Sequence, residues 1–132
     1  MGPDVQIQTF GAGLVIRASK KTRQRRRMVL ELDRACRERV FERDNFACVR
    51  CGSRDGLQWC HVVGRRNLNL RWEDENSFCG CSGCHLFWHH EPILAIDWFR
   101  RAYPHRYEML TAAAPISVKV NVRQRFEALG VE

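Results

Sequence analysis

The sequence predicts a small α+β domain with flanking helices, and three observations support this fold class. The chain has 132 residues, 45% of them apolar, which is enough for one compact core and leaves little room for two. A segment rich in β-forming residues is followed by stretches with helical spacing, and two Cys-x-x-Cys pairs flank that segment. Three regions are predicted: a basic, flexible N-terminal arm over residues 1–27, a core over residues 28–92, and a helical C-terminal extension over residues 93–132 that packs on the core.

The arm holds most of the net charge of +7. Residues 1–27 contain seven Lys and Arg and one Asp, which leaves 15 basic and 14 acidic residues (22 less 7, 15 less 1) for the remainder. No sustained periodicity is present there, so a flexible arm with at most a short strand is expected. The cluster fits both a solvated arm and a contact with the phosphate backbone of DNA. The candidate DNA-binding residues are Lys20, Lys21, Arg23, Arg25, Arg26 and Arg27.

A helix and a hairpin are predicted next. Val29, Leu32, Cys36 and Val40 recur on one face of a helix that starts at Val29 and ends before Asp44. The segment 57–63, bounded by two glycines, predicts a strand, and a return segment near 71–78 completes a hairpin with a long connection.

Helices account for the rest of the chain. The second cysteine pair opens a helix that Pro92 ends or restarts. Further helices are expected over 93–103, 106–114 and 118–129, with Pro104 separating the first two.

Several classes of protein are excluded. No apolar run reaches the roughly 18 to 20 residues of a membrane span, and the N-terminus lacks the features of a signal peptide. We therefore expect an intracellular protein with a cytoplasmic location and no membrane partner. Seven cysteines are an odd number for a disulfide framework.

The spacing of four cysteines indicates a structural zinc. Cys48 and Cys51 form one Cys-x-x-Cys pair and Cys81 and Cys84 form a second, with 29 residues (52 to 80) between them. Two such pairs make the closed tetrahedral sulfur site of a structural zinc ion. Cys79 is an alternative to Cys81, although its spacing fits less well.

Three further features lie on the predicted strand, in the return segment and on the helix that follows. His61 lies on the predicted strand and Asn76 in the return segment. His85 and His89 share one side of a helix, where two imidazoles can bind one ion and leave its opposite side open. His90 is an alternative to His89 if the helix is rotated.

These residues resemble the HNH endonucleases of the ββα-metal (His-Me finger) superfamily. The family pattern is a strand His, then an Asn, then Cys-x-x-Cys followed at once by His. It occurs here as His61 followed by Val62, Asn76, and Cys81-Ser82-Gly83-Cys84-His85. The additional His89 is similar to the arrangement in nuclease colicins, and the surrounding sequence looks like small phage-type HNH proteins, including recombination endonucleases. The resemblance covers roughly residues 36–92.

The resemblance implies a fold, a reaction and roles for the residues. The core would be a zinc-stapled ββα-metal unit that hydrolyses DNA and leaves 5′-phosphate and 3′-hydroxyl ends. His61 would be the general base, and Asn76 would orient the loop. His85 and His89 would hold one catalytic divalent ion, with Mg²⁺, Mn²⁺, Ni²⁺ and Zn²⁺ as candidates. The setting would be a bacterial or phage-infected cell.

One position departs from the family pattern. The residue before the base His is commonly a metal-binding Asp or His, but here it is Cys60. Two interpretations stay open: Cys60 is a ligand that shifts the preference toward a softer ion such as zinc, or it is a buried structural thiol.

Basic and aromatic residues around the hairpin also have two interpretations each. Arg65, Arg66 and Arg71 either clamp phosphates or form a solvated loop. Six aromatic residues fit a core better than a base-stacking platform: Trp59, Trp72, Phe87, Trp88, Trp98 and Phe99.

The sequence leaves two alternatives open for the oligomeric state and two for the function. The C-terminal helices offer a surface for a homodimer but equally cover a core. The alternative to an endonuclease is a non-catalytic zinc-knuckle protein that binds DNA or serves in phage assembly or recombination.

Overall fold

The computed structural model describes residues 5–10 and 13–130, with side chains described from Ile16 onward. Residues 1–4, 11 and 12 of the predicted arm, and residues 131 and 132 of the predicted extension, lie outside the described residues. The chain divides into two compact units, one formed by residues 1–33 with 121–132 and the other by residues 34–120. Both helix and strand are present, so the predicted α+β class is confirmed.

The first unit contains a hairpin and a short helix. Strands β1 (Val5–Phe10) and β2 (Gly13–Ala18) pair antiparallel, where the sequence predicted at most one short strand. Helix α6 (Val122–Glu127) is shorter than the predicted 118–129. Its N-terminus is fixed by the Asn121 side chain, which accepts a hydrogen bond from the Gln124 N–H at 3.0 Å.

Helix α1 (Lys20–Arg43) begins nine residues before its predicted start at Val29. The Ser19 hydroxyl caps the helix by accepting from the Thr22 N–H at 3.2 Å, and the Lys, Arg and Gln residues that follow are good helix formers. The basic cluster is therefore helical. The first turns of α1 are charged on all sides, so they have no apolar stripe from which the start of the helix could be predicted. The predicted apolar face is confirmed by the burial of Leu32, Cys36 and Val40.

The end of α1 is set by a Schellman motif. Asn45 and Phe46 have positive φ values of 58° and 51°. The Phe46 N–H donates to the Phe41 carbonyl at 2.9 Å and the Asn45 N–H to the Glu42 carbonyl at 3.1 Å. The rings of Phe41 and Phe46 meet edge to face, which is the apolar contact that accompanies this motif.

The predicted hairpin of the second unit is confirmed. Strands β3 (Leu57–His61) and β4 (Ser77–Cys81) pair antiparallel, with Cys60 opposite Phe78 and His61 opposite Ser77. The return strand starts later than the predicted 71–78 because the connection folds locally. It contains helix α2 (Leu68–Arg71) and a 3₁₀ turn over Asp74–Asn76.

Within the second unit, three helices follow β4. They are α3 (Ser82–His90), α4 (Pro92–Ala102) and α5 (Pro104–Ala113), and both prolines stand at the first helical turn, where a missing N–H costs nothing. One cluster of the core consists of Cys60, Leu70, Phe78, Phe99 and Leu110, with partly buried aromatic rings around it. Within the described part of the chain, no helix has the length and apolar character of a membrane span.

Candidate metal centre

The two cysteine pairs form one cluster. The sulfur atoms of Cys48, Cys51, Cys81 and Cys84 all lie within 4.8 Å of one another, and those of Cys51 and Cys81 are 3.6 Å apart. A tetrahedral zinc site with Zn–S bonds of about 2.3 Å separates its sulfurs by about 3.8 Å, so the cluster fits zinc. Cys79 is not a member of the cluster; it is buried, and its backbone N–H donates to Asp44 at 2.9 Å.

Local backbone geometry brings the four sulfurs together. In the first knuckle the Gly52 N–H donates to the Cys48 carbonyl at 2.8 Å, and Gly52 has a φ of +80°, which favours glycine. In the second knuckle Cys81 caps α3, because its sulfur accepts from the Cys84 N–H at 3.3 Å. A hydrogen bond of 3.0 Å from the Val49 N–H to the Cys79 carbonyl joins the two knuckles.

The electrostatics of the cluster favour ionisation of Cys48 and oppose ionisation of Cys51 and Cys84. Burial opposes the charge on Cys48, but hydrogen bonds from the backbones of Cys51, Cys81 and Arg50 outweigh it and lower the pKa of Cys48 to about 6. The Arg50 guanidinium contacts the Cys84 sulfur at 3.5 Å. Burial nevertheless raises the pKa of Cys84 to about 12. The Cys48 thiol therefore ionises before the Cys84 thiol.

Directly after Cys84, α3 presents two converging imidazoles. The Nε2 atoms of His85 and His89 lie 2.9 Å apart, whereas His90 is exposed on another side of the helix. The Nδ1 atom of His85 contacts Oε1 of Gln58 on β3. Burial, together with the charges of His89 and Arg65, lowers the pKa of His85. The neutral imidazole, which is the form that binds metals, is thus favoured.

His61 stands at the end of β3. Its Nε2 atom lies 3.1 Å from the carbonyl oxygen of Arg71, and its ring meets the Trp59 ring with 4.1 Å between centroids. Arg65 places its guanidinium 5.4 Å from the centre of the Trp59 ring. The charge of Arg65 also contributes to the lowered pKa of His85.

Asn76 closes the loop between the strands. Its side chain is fully buried, with Oδ1 accepting from the Val63 N–H at 2.8 Å. Its Nδ2 donates to the carbonyls of Val63 and Leu70 at 2.9 and 3.0 Å. One amide therefore joins both ends of the segment 63–70, which contains Arg65 and Arg66.

Two arginines that the sequence analysis missed support the turn that holds Asn76. Arg43 of α1 donates to the carbonyls of Asp74 and Ser77, each at 2.7 Å. Arg106 of α5 donates to the carbonyls of Glu75 and Ser77 at 3.0 and 2.9 Å. No spacing rule reveals such residues, because their partners are backbone atoms distant in the chain.

Cys60 lies in the core. Strand side chains alternate between faces, so Cys60 and His61 point to opposite sides of the hairpin, and Cys60 packs with Phe78 and Phe99. Burial raises the pKa of the Cys60 thiol to about 12. Among the described side chains Cys60 does not join His85 and His89 in a ligand group, which favours the buried thiol over the ligand.

The remaining predicted site residues are cationic or aromatic. Arg66 is exposed, and Arg71 lies with its guanidinium 5.7 Å from the centre of the Trp72 ring. Six cations are exposed on α1: Lys20, Lys21, Arg23, Arg25, Arg26 and Arg27. The aromatic residues are buried or half-buried, as a core role predicts: Trp59, Trp72, Phe87, Trp88, Trp98 and Phe99.

Comparisons with known proteins add no relative. No protein-family model, no curated protein and no solved structure matches the chain. Its function is therefore inferred from the residues and geometry above.

Proposed function

We propose that the chain is a metal-dependent DNA endonuclease of the HNH type, which hydrolyses phosphodiester bonds. The observation that carries the proposal is the imidazole pair of His85 and His89. Their Nε2 atoms lie 2.9 Å apart on a helix that begins at a cysteine cluster suited to zinc. Two converging imidazoles are good ligands for a divalent first-row ion.

His61 is the proposed general base. An Nε2–H donated to the Arg71 carbonyl leaves Nδ1 as the basic nitrogen, which takes a proton from the attacking water. An imidazole suits this task because its ordinary pKa lies near neutral pH. The Trp59 ring and the Arg71 carbonyl together orient the His61 ring.

The other residues of the proposed site bind the divalent ion or the substrate, or position the residues that do so. A divalent ion bound at His85 and His89 would supply Lewis-acid stabilisation of the scissile phosphate and of the departing 3′ oxygen. Arg65, whose guanidinium lies 5.4 Å from the centre of the Trp59 ring that His61 contacts, binds a phosphate of the substrate. Asn76 fixes the segment that carries Arg65 by joining its two ends.

The basic part of α1 is the proposed contact with the DNA backbone. Its six exposed cations lie within eight consecutive residues, 20 to 27. A charged helix of this kind binds phosphates without reading sequence, and it releases counterions when it does so. The products carry 5′-phosphate and 3′-hydroxyl ends, as in the family that the sequence resembles.

A non-catalytic zinc-knuckle protein that binds DNA is the second candidate. The observation in its favour is the burial of Cys60 at the position where the family commonly has a metal-binding Asp or His. Such a protein would retain the cysteine cluster and the basic helix, but it would not need His61 as a base.

Cleavage of supercoiled plasmid separates the two candidates. The purified, zinc-loaded chain is incubated with Mg²⁺, Mn²⁺, Ni²⁺, Co²⁺ or Zn²⁺, and nicked and linear products are measured. We expect cleavage by the wild type, none by His61→Ala, and wild-type cleavage by the control His105→Ala, which alters an exposed histidine on another helix.

DNA binding by the same proteins is measured in parallel. Binding without cleavage of plasmid or branched DNA, with every ion, would favour the non-catalytic protein. Cleavage that persists in His61→Ala would refute the assignment of His61 as the general base.

A further inference from the structure

We propose that Gln58 is a positioning residue that fixes the tautomer of His85 and thereby prepares Nε2 of His85 to bind the divalent ion. This inference rests on the proposed function, since it concerns the same imidazole pair. Gln58 has no place in the sequence pattern that indicated the site. Its role follows from the contact of its Oε1 atom with Nδ1 of His85.

The contact assigns a role to each nitrogen of the His85 ring. The Gln58 Oε1 atom can only accept a hydrogen bond, so Nδ1 of His85 must be the protonated nitrogen. A neutral imidazole carries a single N–H, and its Nε2 atom then presents a lone pair. That lone pair points toward Nε2 of His89, where an ion bound by both rings would lie.

The hairpin explains why residue 58 can reach the helix. Gln58 and Cys60 share one face of β3, and this is the face on which Phe78 of β4 meets Trp88 of α3. Opposite Gln58 in the register stands Gly80, where an added Cβ would meet the Cys60 sulfur at 2.8 Å. From this strand the Gln58 amide reaches His85 in the first turn of α3.

The chemistry matches that of outer-shell residues in metal sites. A histidine ligand ordinarily donates its second N–H to an oxygen, which fixes the ring and makes the ligating nitrogen more basic. With Cys60 in the core, two imidazoles are the protein ligands of this site, so the orientation of each matters more than in a three-ligand site. Loss of such a partner typically weakens metal affinity about 10–100-fold.

Titration with Ni²⁺ tests the role directly. Zinc content is first confirmed in every variant, and Ni²⁺ binding is then measured by calorimetry on the full chain. We expect Gln58→Leu to weaken Ni²⁺ binding about 10–100-fold and Gln58→Glu to restore or exceed wild-type affinity, because a carboxylate also accepts from Nδ1. The matched control is Gln124→Leu, at an exposed position on α6.

The tautomer of His85 provides a second readout that a merely structural role would not change. In ¹⁵N-histidine-labelled, zinc-loaded protein at pH 8, two-bond proton–nitrogen correlations identify the protonated ring nitrogen. The signals of His85 are assigned by their loss in His85→Ala. We expect an Nδ1–H tautomer in the wild type and in Gln58→Glu, and loss of that preference in Gln58→Leu.

The outcomes distinguish this inference from the proposed function. Equal Ni²⁺ affinity of the wild type and Gln58→Leu, or an Nε2–H tautomer in the wild type, overturns the role of Gln58 alone. A wild-type chain with intact zinc that binds no Ni²⁺ overturns the imidazole-pair site and this inference together. Ni²⁺ binding that depends on Gln58 in a chain that cleaves no DNA supports the inference and refutes the nuclease.

Discussion

Replacement of Asn76 by alanine is expected to destabilise the second unit strongly. The side chain is fully buried and makes three hydrogen bonds, of 2.8, 2.9 and 3.0 Å, to the backbone of Val63 and Leu70. Each contributes about 1 kcal/mol net, so the free energy of unfolding falls by about 3 kcal/mol. For a chain of this size that corresponds to a melting temperature lower by about 12 °C.

Thermal unfolding of the zinc-loaded protein, followed by circular dichroism, measures this change. The control is Asn121→Ala, which removes one exposed hydrogen bond at the start of α6 and is expected to cost about 1 kcal/mol. DNA cleavage should also fall in Asn76→Ala, because the segment that carries Arg65 loses the amide that joins its ends. A stability loss in Asn76→Ala no larger than in the control would refute the inference that this amide holds the loop.

The isosteric change Asn76→Asp adds a dependence on pH. The carboxylate would face the carbonyl oxygens of Val63 and Leu70, which disfavours its charged form and raises its pKa above the unfolded value. A carboxyl group with a raised folded-state pKa loses stability as pH rises from the unfolded to the folded pKa. Because the unfolded value is about 3.9, the melting temperature of Asn76→Asp should fall further below wild type at pH 7.5 than at pH 5, and an equal deficit at both values would contradict this reasoning.

Three further changes test other parts of the molecule. Cys48→Ser should abolish cooperative folding of the second unit, because a structural zinc supplies stability that a small core cannot replace; a folded, zinc-free variant by circular dichroism and metal analysis would argue against the zinc site. Cys60→Ala should cost about 1–2 kcal/mol in denaturant unfolding while leaving Ni²⁺ affinity unchanged, and a loss of affinity would return Cys60 to the ligand set. Combined replacement of Arg25, Arg26 and Arg27 by alanine should reduce the slope of log affinity against log salt by about 3, as measured by fluorescence anisotropy on duplex DNA, whereas an unchanged slope would place the DNA contact elsewhere.

The predictions that depended on spacing agree with the structure. Cys-x-x-Cys spacing fixes the turn of each knuckle by local geometry, so the four-cysteine cluster could be predicted without knowledge of the fold. In the same way, residues four apart on a helix must share a side, and His85 and His89 do. The start of α1 could not be found this way, because a helix charged on all sides has no apolar period.

Contacts between distant residues could not be predicted. The sequence identified Asn76, but it gave no sign that Arg43 and Arg106 would hold the turn around it through backbone carbonyls. The contact of Gln58 with His85 could not be predicted either, because it depends on how α3 lies on the hairpin. The side to which Cys60 points likewise followed only from the register of the hairpin.

The cysteine cluster and the imidazole pair are coupled through the start of α3. The Cys81 sulfur caps the helix, Cys84 lies in its first turn, and His85 follows directly. Any movement of the second knuckle therefore shifts His85 relative to Gln58, which stands on the neighbouring strand. By contrast, the loop that contains Arg65 is fixed by Asn76, whose turn is supported by Arg43 of α1 and Arg106 of α5. Zinc is thus expected to control the geometry of the ion-binding pair, while the buried amide controls the phosphate-binding loop.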